Sequence, residues 1–174
     1  VLLTTPLQAA GEEYGFRGVI NRAMSSFVQP DVKFGPVPVG WLLGGVVSSA
    51  MFMAVHGAAD PWLNLFYFSF GMVACYLTWR TGGLEAAVAM HVVNNMLAMI
   101  PLPFVDFSDL FDRSAGKGDW TVLIGIAVCV IGALVVDRMA AKHGIVREYA
   151  PAAQSQSVMQ SGESQPPSVG NSVP

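Results

Sequence analysis

The chain has 174 residues, of which 53% are hydrophobic and only 12% charged, with a net charge of −3, whereas soluble domains carry about a quarter charged residues. That composition excludes an ordinary soluble globule. The acidic balance, with no basic stripe, excludes a nucleic-acid partner.

In chain order, the first segment runs from Val1 to Phe27. Leu3, Leu7, Ala10, Tyr14, Val19, Ala23 and Phe27 recur at the spacing of one helix face. A charged octet, Gly11 to Gly18 (GEEYGFRG), lies within it. The expectation is a helix with one polar stripe. The start of the chain (VLLTTPLQAAG) has neither the charged beginning nor the cleavage site of a signal peptide, and further helices are expected upstream. A linker, Gln29 to Gly40, follows, where Pro30, Pro36 and Pro38 disfavour helix.

The apolar residues beyond it collect in runs near the length, about 17 to 25 residues, that crosses a bilayer core as helix. Val39 to Gly57 and Trp62 to Trp79 contain no Lys, Arg, Asp or Glu, and each reads as a span. Leu84 to Leu102 carries Glu85, His91, Asn94 and Asn95, so it belongs among neighbouring helices. Trp120 to Val136 is as clean as the first two. Trp41, Trp62, Trp79 and Trp120 all fall at span ends, where amphipathic rings prefer the headgroup level. Gly40 and Gly44 leave a GxxxG groove suited to close helix contact. Cys75 and Cys129 lie inside spans, away from any CxxC or Cys/His spacing, and read as small buried hydrophobes. From Pro151 onward Ser, Gln and Pro dominate, so a core over 1–149 and a disordered tail over 150–174 are expected. His143 reads as solvated.

Lys and Arg near span ends set the orientation, because cytoplasmic loops are richer in both. Arg22, Lys33, Arg80, Arg138, Lys142 and Arg147 fall on one side; Arg113 and Lys117 fall on the other, among Asp106, Asp109, Asp112 and Asp119. The proline linker, the Arg80 turn and the C-terminus are therefore expected to be cytoplasmic.

An ionisable residue near the bilayer centre costs roughly 2.5 to 3.5 kcal/mol on insertion scales, so it faces the bundle interior and needs partners. Glu13 and Arg17 are four apart with the glutamate first, the favourable order for a helical ion pair. Glu12 points about 100° away and is left available as a base. His56 shares a helix face with Phe52, and His91 with Asn95, again at four-residue spacing. At about 1.5 Å per residue, His91 lies roughly 10 Å from the cytoplasmic end of its helix and His56 over 20 Å from Trp41. Bringing them level requires tilt or staggered helices.

The set EExxxR, FxxxH, HxxxN, read at Glu12-Glu13-Tyr14-Gly15-Phe16-Arg17, Phe52-Met53-Ala54-Val55-His56 and His91-Val92-Val93-Asn94-Asn95, resembles the three motifs of the CPBP family of intramembrane proteases. That family is also described as the CAAX prenyl protease and bacteriocin-processing (Abi) family. The resemblance implies an all-α, polytopic transmembrane bundle in which Glu12, helped by His56, activates a water for attack on a peptide carbonyl. His91 and Asn95 would stabilise the oxyanion, with Glu13, Arg17 and Phe52 supporting the site. Glu12, His56 and His91 would also supply three ligands to zinc and leave one position for water. HExxH is absent, which favours a metal-free mechanism while leaving zinc open as a cofactor. Prenylated CAAX proteins, bacteriocin leader peptides and other membrane proteins all suit a site reached through lipid, and a bacterial plasma membrane is the expected setting. Two rivals stand beside the protease: an inactive relative acting as a membrane scaffold or immunity protein, and a proton-coupled transporter, since Glu and His chains also line proton pathways.

Overall fold

The computed structural model describes residues 4–99 and 118–145. The end of the Leu84–Leu102 run, the loop with Arg113 and Lys117, Arg147 and the expected tail lie outside the described residues.

The first helix runs continuously from Thr4 to Ser25 without being uniform. α1 (Thr4–Glu13) passes into a π-helical segment (Tyr14–Asn21) and then into α2 (Arg22–Ser25). Its buried stripe explains the change of winding: Thr5, Ala9, Glu13, Arg17, Asn21 and Ser25 are all buried, at every fourth position. With 3.6 residues per turn, a four-residue repeat slides about 40° around an α-helix at each step. Turns closed by i→i+5 bonds take more than four residues each and rotate the stripe back. The polar stripe therefore faces inward along the whole segment, while Leu7 (75% exposed) and Phe27 (76% exposed) face outward with Tyr14 and Val19. A soluble helix would show the reverse arrangement.

The proline linker contains a structural detail that its composition hides. Lys33–Phe34 (β1) and Val37–Pro38 (β2) pair antiparallel, turning at Gly35, whose φ of 59° suits glycine. α3 (Val39–His56) starts after Pro38 and ends at Gly57. α4 (Pro61–Thr81) is capped by Asp60, whose carboxylate accepts from the backbone N–H groups of Trp62 and Leu63. α5 (Glu85–Met99) and α6 (Val122–Lys142) complete the described elements. α6 continues past the expected end at Val136 because Asp137 pairs with Arg80 of α4. Arg80 also donates to the Ile145 carbonyl at 3.3 Å, holding the end of that helix.

α4 is the hub of the bundle, touching α3, α5 and α6, while α1 packs on α5 and the π segment and α2 pack on α3. Small residues set these approaches. A Cβ on Gly40 would lie 2.6 Å from the Ser25 carbonyl oxygen, and one on Gly44 would collide with the Asn21 carbonyl and the Ser25 hydroxyl. The GxxxG groove is thus the seat of the first helix. Gly71 of α4 meets Ser49 of α3 in the same manner, and Ala74, Leu77, Ala87 and Ala133 form the core joining α4, α5 and α6. Trp41 and Trp79 pack with centroids 5.1 Å apart and their rings tilted by 34°. The expected small buried cysteines are both free thiols, Cys75 buried and Cys129 partly so.

α3 and α6 are each long and apolar enough to cross a membrane. α6 turns Ile124, Val128, Ile131 and Met139 outward, a surface suited to hydrocarbon rather than water. The molecule is an all-α polytopic membrane bundle, with one short hairpin among the described residues.

Candidate functional site

The charged octet and α5 meet inside the bundle. Glu13 Oε1 accepts from Arg17 Nη1 at 3.1 Å, and both side chains are fully buried. The same oxygen lies 2.7 Å from His91 Nδ1. On the far side of that imidazole, Nε2 is 3.7 Å from Glu12 Oε2. Glu12 Oε1 accepts from Gln8 Nε2 at 3.0 Å, whereas Glu12 Oε2 is buried with no hydrogen-bond partner. Glu12, His91, Glu13 and Arg17 therefore form one line, with a carboxylate on each side of the ring.

The helices hold this line in place by ordinary means. Helical winding from Glu13 to Arg17 brings the ion pair together on the inner stripe, and Ser48 Oγ of α3 donates to the Phe16 carbonyl at 2.8 Å, satisfying a backbone acceptor of the π segment. Small-residue packing against Gly40 and Gly44 fixes the depth of the octet against α3. His91, 2% exposed, enters from α5, which packs on α1.

Phe52 joins the two halves of the site. The Arg17 guanidinium carbon lies 4.5 Å from its ring centroid, within cation–π reach, and Arg17 Nε and Nη2 have no hydrogen-bond partner. The same ring lies 4.4 Å from the His56 imidazole and 5.8 Å from that of His91. The depth difference expected between His56 and His91 is thus bridged by one phenyl ring. His56 is the last residue of α3, and its Nδ1 is 2.8 Å from the Phe52 carbonyl oxygen. A carbonyl only accepts, so the ring proton resides on Nδ1. Asn95 lies one turn beyond His91 and accepts from Asn94 Nδ2 at 3.3 Å.

Two aromatic residues of α4 join the site without having been anticipated. Tyr67 packs on His56 with ring centroids 4.1 Å apart, and Phe70 lies edge-on to His91 at 5.0 Å. Their signal was the run Phe66-Tyr67-Phe68-Ser69-Phe70, in which positions three apart share a helix face. The contact of Glu13 with His91, across 78 positions of sequence, had no local signal at all.

Zinc requires ligand atoms about 2.0 to 2.2 Å from one centre. Among the described residues no group of three His, Cys, Asp or Glu side chains is gathered for a metal ion. The arranged donors do not fit zinc, and no chemistry is derived through it. What the arrangement supports is proton transfer: an unpartnered carboxylate oxygen beside an imidazole, in a low-dielectric interior where such groups interact strongly.

Residues 1–97 match the family described as type II CAAX prenyl endopeptidase Rce1-like. A protein of Bacillus subtilis (strain 168), named uncharacterized protein YyaK, is 29% identical over 135 residues, covering 75% of this chain and 44% of that protein. The chain thus spans less than half the length of the curated relative it matches. No solved structure gives a significant match.

Proposed function

The chain belongs to the Rce1-like family of type II CAAX prenyl endopeptidases, and from that premise we propose that it forms the catalytic part of an intramembrane endopeptidase that cleaves a membrane-associated protein or peptide. The observation that carries this reading is the buried, unpartnered Glu12 Oε2 facing His91 Nε2 at 3.7 Å. A carboxylate so placed can take a proton from a water held against a scissile carbonyl. The water oxygen bonds to the carbonyl carbon while its proton passes to Glu12. Collapse of the tetrahedral intermediate breaks the C–N bond, and the proton goes to the departing amine. Products are a carboxylate and an amine.

The remaining roles follow from the same reading. His56 assists Glu12, Asn95 and His91 serve the developing oxyanion, a charge whose stabilisation typically contributes a few kcal/mol, and Glu13, Arg17 and Phe52 hold the geometry. Residues 1–149 make up the catalytic core, with 150–174 as a cytoplasmic tail, in a bacterial plasma membrane. A scaffold reading draws on the full burial of Glu13 and Arg17, because an internal ion pair can serve packing alone.

The test is a comparison of peptide termini, by mass spectrometry, in membranes from cells with and without the whole protein. The protease reading expects new termini on membrane-associated proteins or prenylated peptides. Identical termini in the two membranes would leave the scaffold reading standing.

A further inference from the structure

We infer that Glu13 is a positioning residue: it fixes the proton of the neutral His91 ring on Nδ1, so that the Nε2 lone pair faces Glu12 and His91 takes part in proton transfer. This rests on the protease reading for its catalytic consequence but not for its structural content. The argument begins with Glu13 Oε1, which receives both Arg17 Nη1 at 3.1 Å and His91 Nδ1 at 2.7 Å. A carboxylate paired with a guanidinium is ionised, and an ionised carboxylate only accepts. The hydrogen between Glu13 and His91 therefore belongs to the imidazole. With one proton on a neutral ring, Nε2 carries a lone pair.

That nitrogen lies 3.7 Å from Glu12 Oε2, too far for a direct hydrogen bond. The separation leaves two acceptors facing one another, an arrangement that suits a donor such as water shared between them. Neutral His91 in this tautomer has no Nε2 proton to offer an oxyanion. It serves the oxyanion only after Nε2 has received the proton that Glu12 took from the water, as an imidazolium whose charge Glu13 offsets and which returns that proton to the departing amine. Glu13 and His91 thus stand in the relation of an orienting carboxylate to a proton-carrying imidazole. Burial locks the arrangement, since Glu13 is 0% and His91 2% exposed, and Phe52 and Phe70 pack edge-on against the ring.

The experiment uses the whole protein, labelled with ¹⁵N-histidine, in detergent micelles. The chain contains three histidines, so single His→Gln substitutions assign the signals. On the high-pH plateau of a titration, where the ring is neutral, His91 is expected to show the Nδ1–H tautomer. Glu13→Leu combined with Arg17→Met removes the acceptor without leaving a buried charge; it is expected to move the His91 proton toward Nε2. With a cleaved peptide in hand, the same variant is expected to lower kcat roughly 100-fold with KM unchanged, within the range a positioned proton-transfer group supplies. A wild-type His91 protonated on Nε2, or a tautomer unchanged in the double variant, would overturn the inference. Absence of cleavage together with the expected tautomer would instead refute the protease reading and leave the positioning role intact.

Discussion

Replacing Glu13 by leucine should be among the most damaging single changes in the molecule. Arg17 is 0% exposed, its Nη1 is held by Glu13 at 3.1 Å, and its Nε and Nη2 have no other hydrogen-bond partner. Glu13→Leu therefore leaves an uncompensated guanidinium inside the bundle, which costs about 3–5 kcal/mol. The face of Phe52 at 4.5 Å contributes about 2 kcal/mol to a desolvated cation, but it does so in the parent as well. Adding Arg17→Met removes the stranded charge, and replacement of a buried ion pair by apolar groups of similar size is often close to neutral. The double variant should therefore recover part of the loss, the His91 Nδ1–H that Glu13 accepts being left without that partner. For a domain of this size, 3–5 kcal/mol corresponds to a fall of about 6–20 °C in Tm. A thiol-reactive dye provides the assay in a Cys129→Ser background, because Cys75 is 1% exposed and becomes reactive only on unfolding. A Glu13→Leu protein that melts with the parent, or a double variant less stable than the single, would refute the reasoning.

Other outcomes follow from separate parts of the structure. Gly44→Val should destabilise by about 1–3 kcal/mol, since even a Cβ there meets the Asn21 carbonyl; the same dye assay checks it. Asp119 accepts from the Thr121 hydroxyl and backbone N–H, which hold its carboxyl below the usual aspartate value. A depressed folded value contributes stability above the unfolded pKa, about 3.9, that is lost as pH falls through the folded one; thermal midpoints of the parent and Asp119→Asn should therefore converge on acidification below about pH 4. Because the donors are not gathered for zinc, dialysis against a strong chelator should leave peptide cleavage unchanged, and a loss restored by added zinc would contradict that geometry.

The apolar helices were legible because length and absence of charge are local properties: Val39–Gly57 and Trp62–Trp79 emerge as α3 and α4 with shifts of one or two residues, and of these two α3 is long and apolar enough to cross a membrane. α6 was underestimated because Asp137, Arg138 and Lys142 look like the end of an apolar run, and only its pairing with Arg80 shows why the helix continues. Prolines at 30, 36 and 38 correctly argued against helix but hid a hairpin that depends on Gly35. The π winding was not readable from the apolar recurrence of Leu7, Tyr14 and Phe27, which face outward. Its trace lay in Thr5, Ala9, Glu13, Arg17, Asn21 and Ser25, a four-residue period that an α-helix cannot keep on one face.

The candidate site divides in the same way. The Glu13–Arg17 pair could be anticipated because i,i+4 spacing is geometry within one helix. Glu13 with His91, Phe52 with Arg17 and Tyr67 with His56 depend on how separate helices settle, and small residues such as Gly44 decide that. Local spacing names the groups; helix packing decides which of them touch.

The most direct test of the catalytic assignment is the cleavage rate of purified Glu12→Gln protein in lipid vesicles, measured on a peptide that the parent cleaves, beside its thermal midpoint. The account predicts a fall of roughly 100-fold or more with the midpoint retained, because Glu12 lies outside the Glu13–Arg17 pair and its side chain is 26% exposed. Cleavage at the parental rate by a folded Glu12→Gln protein would contradict it.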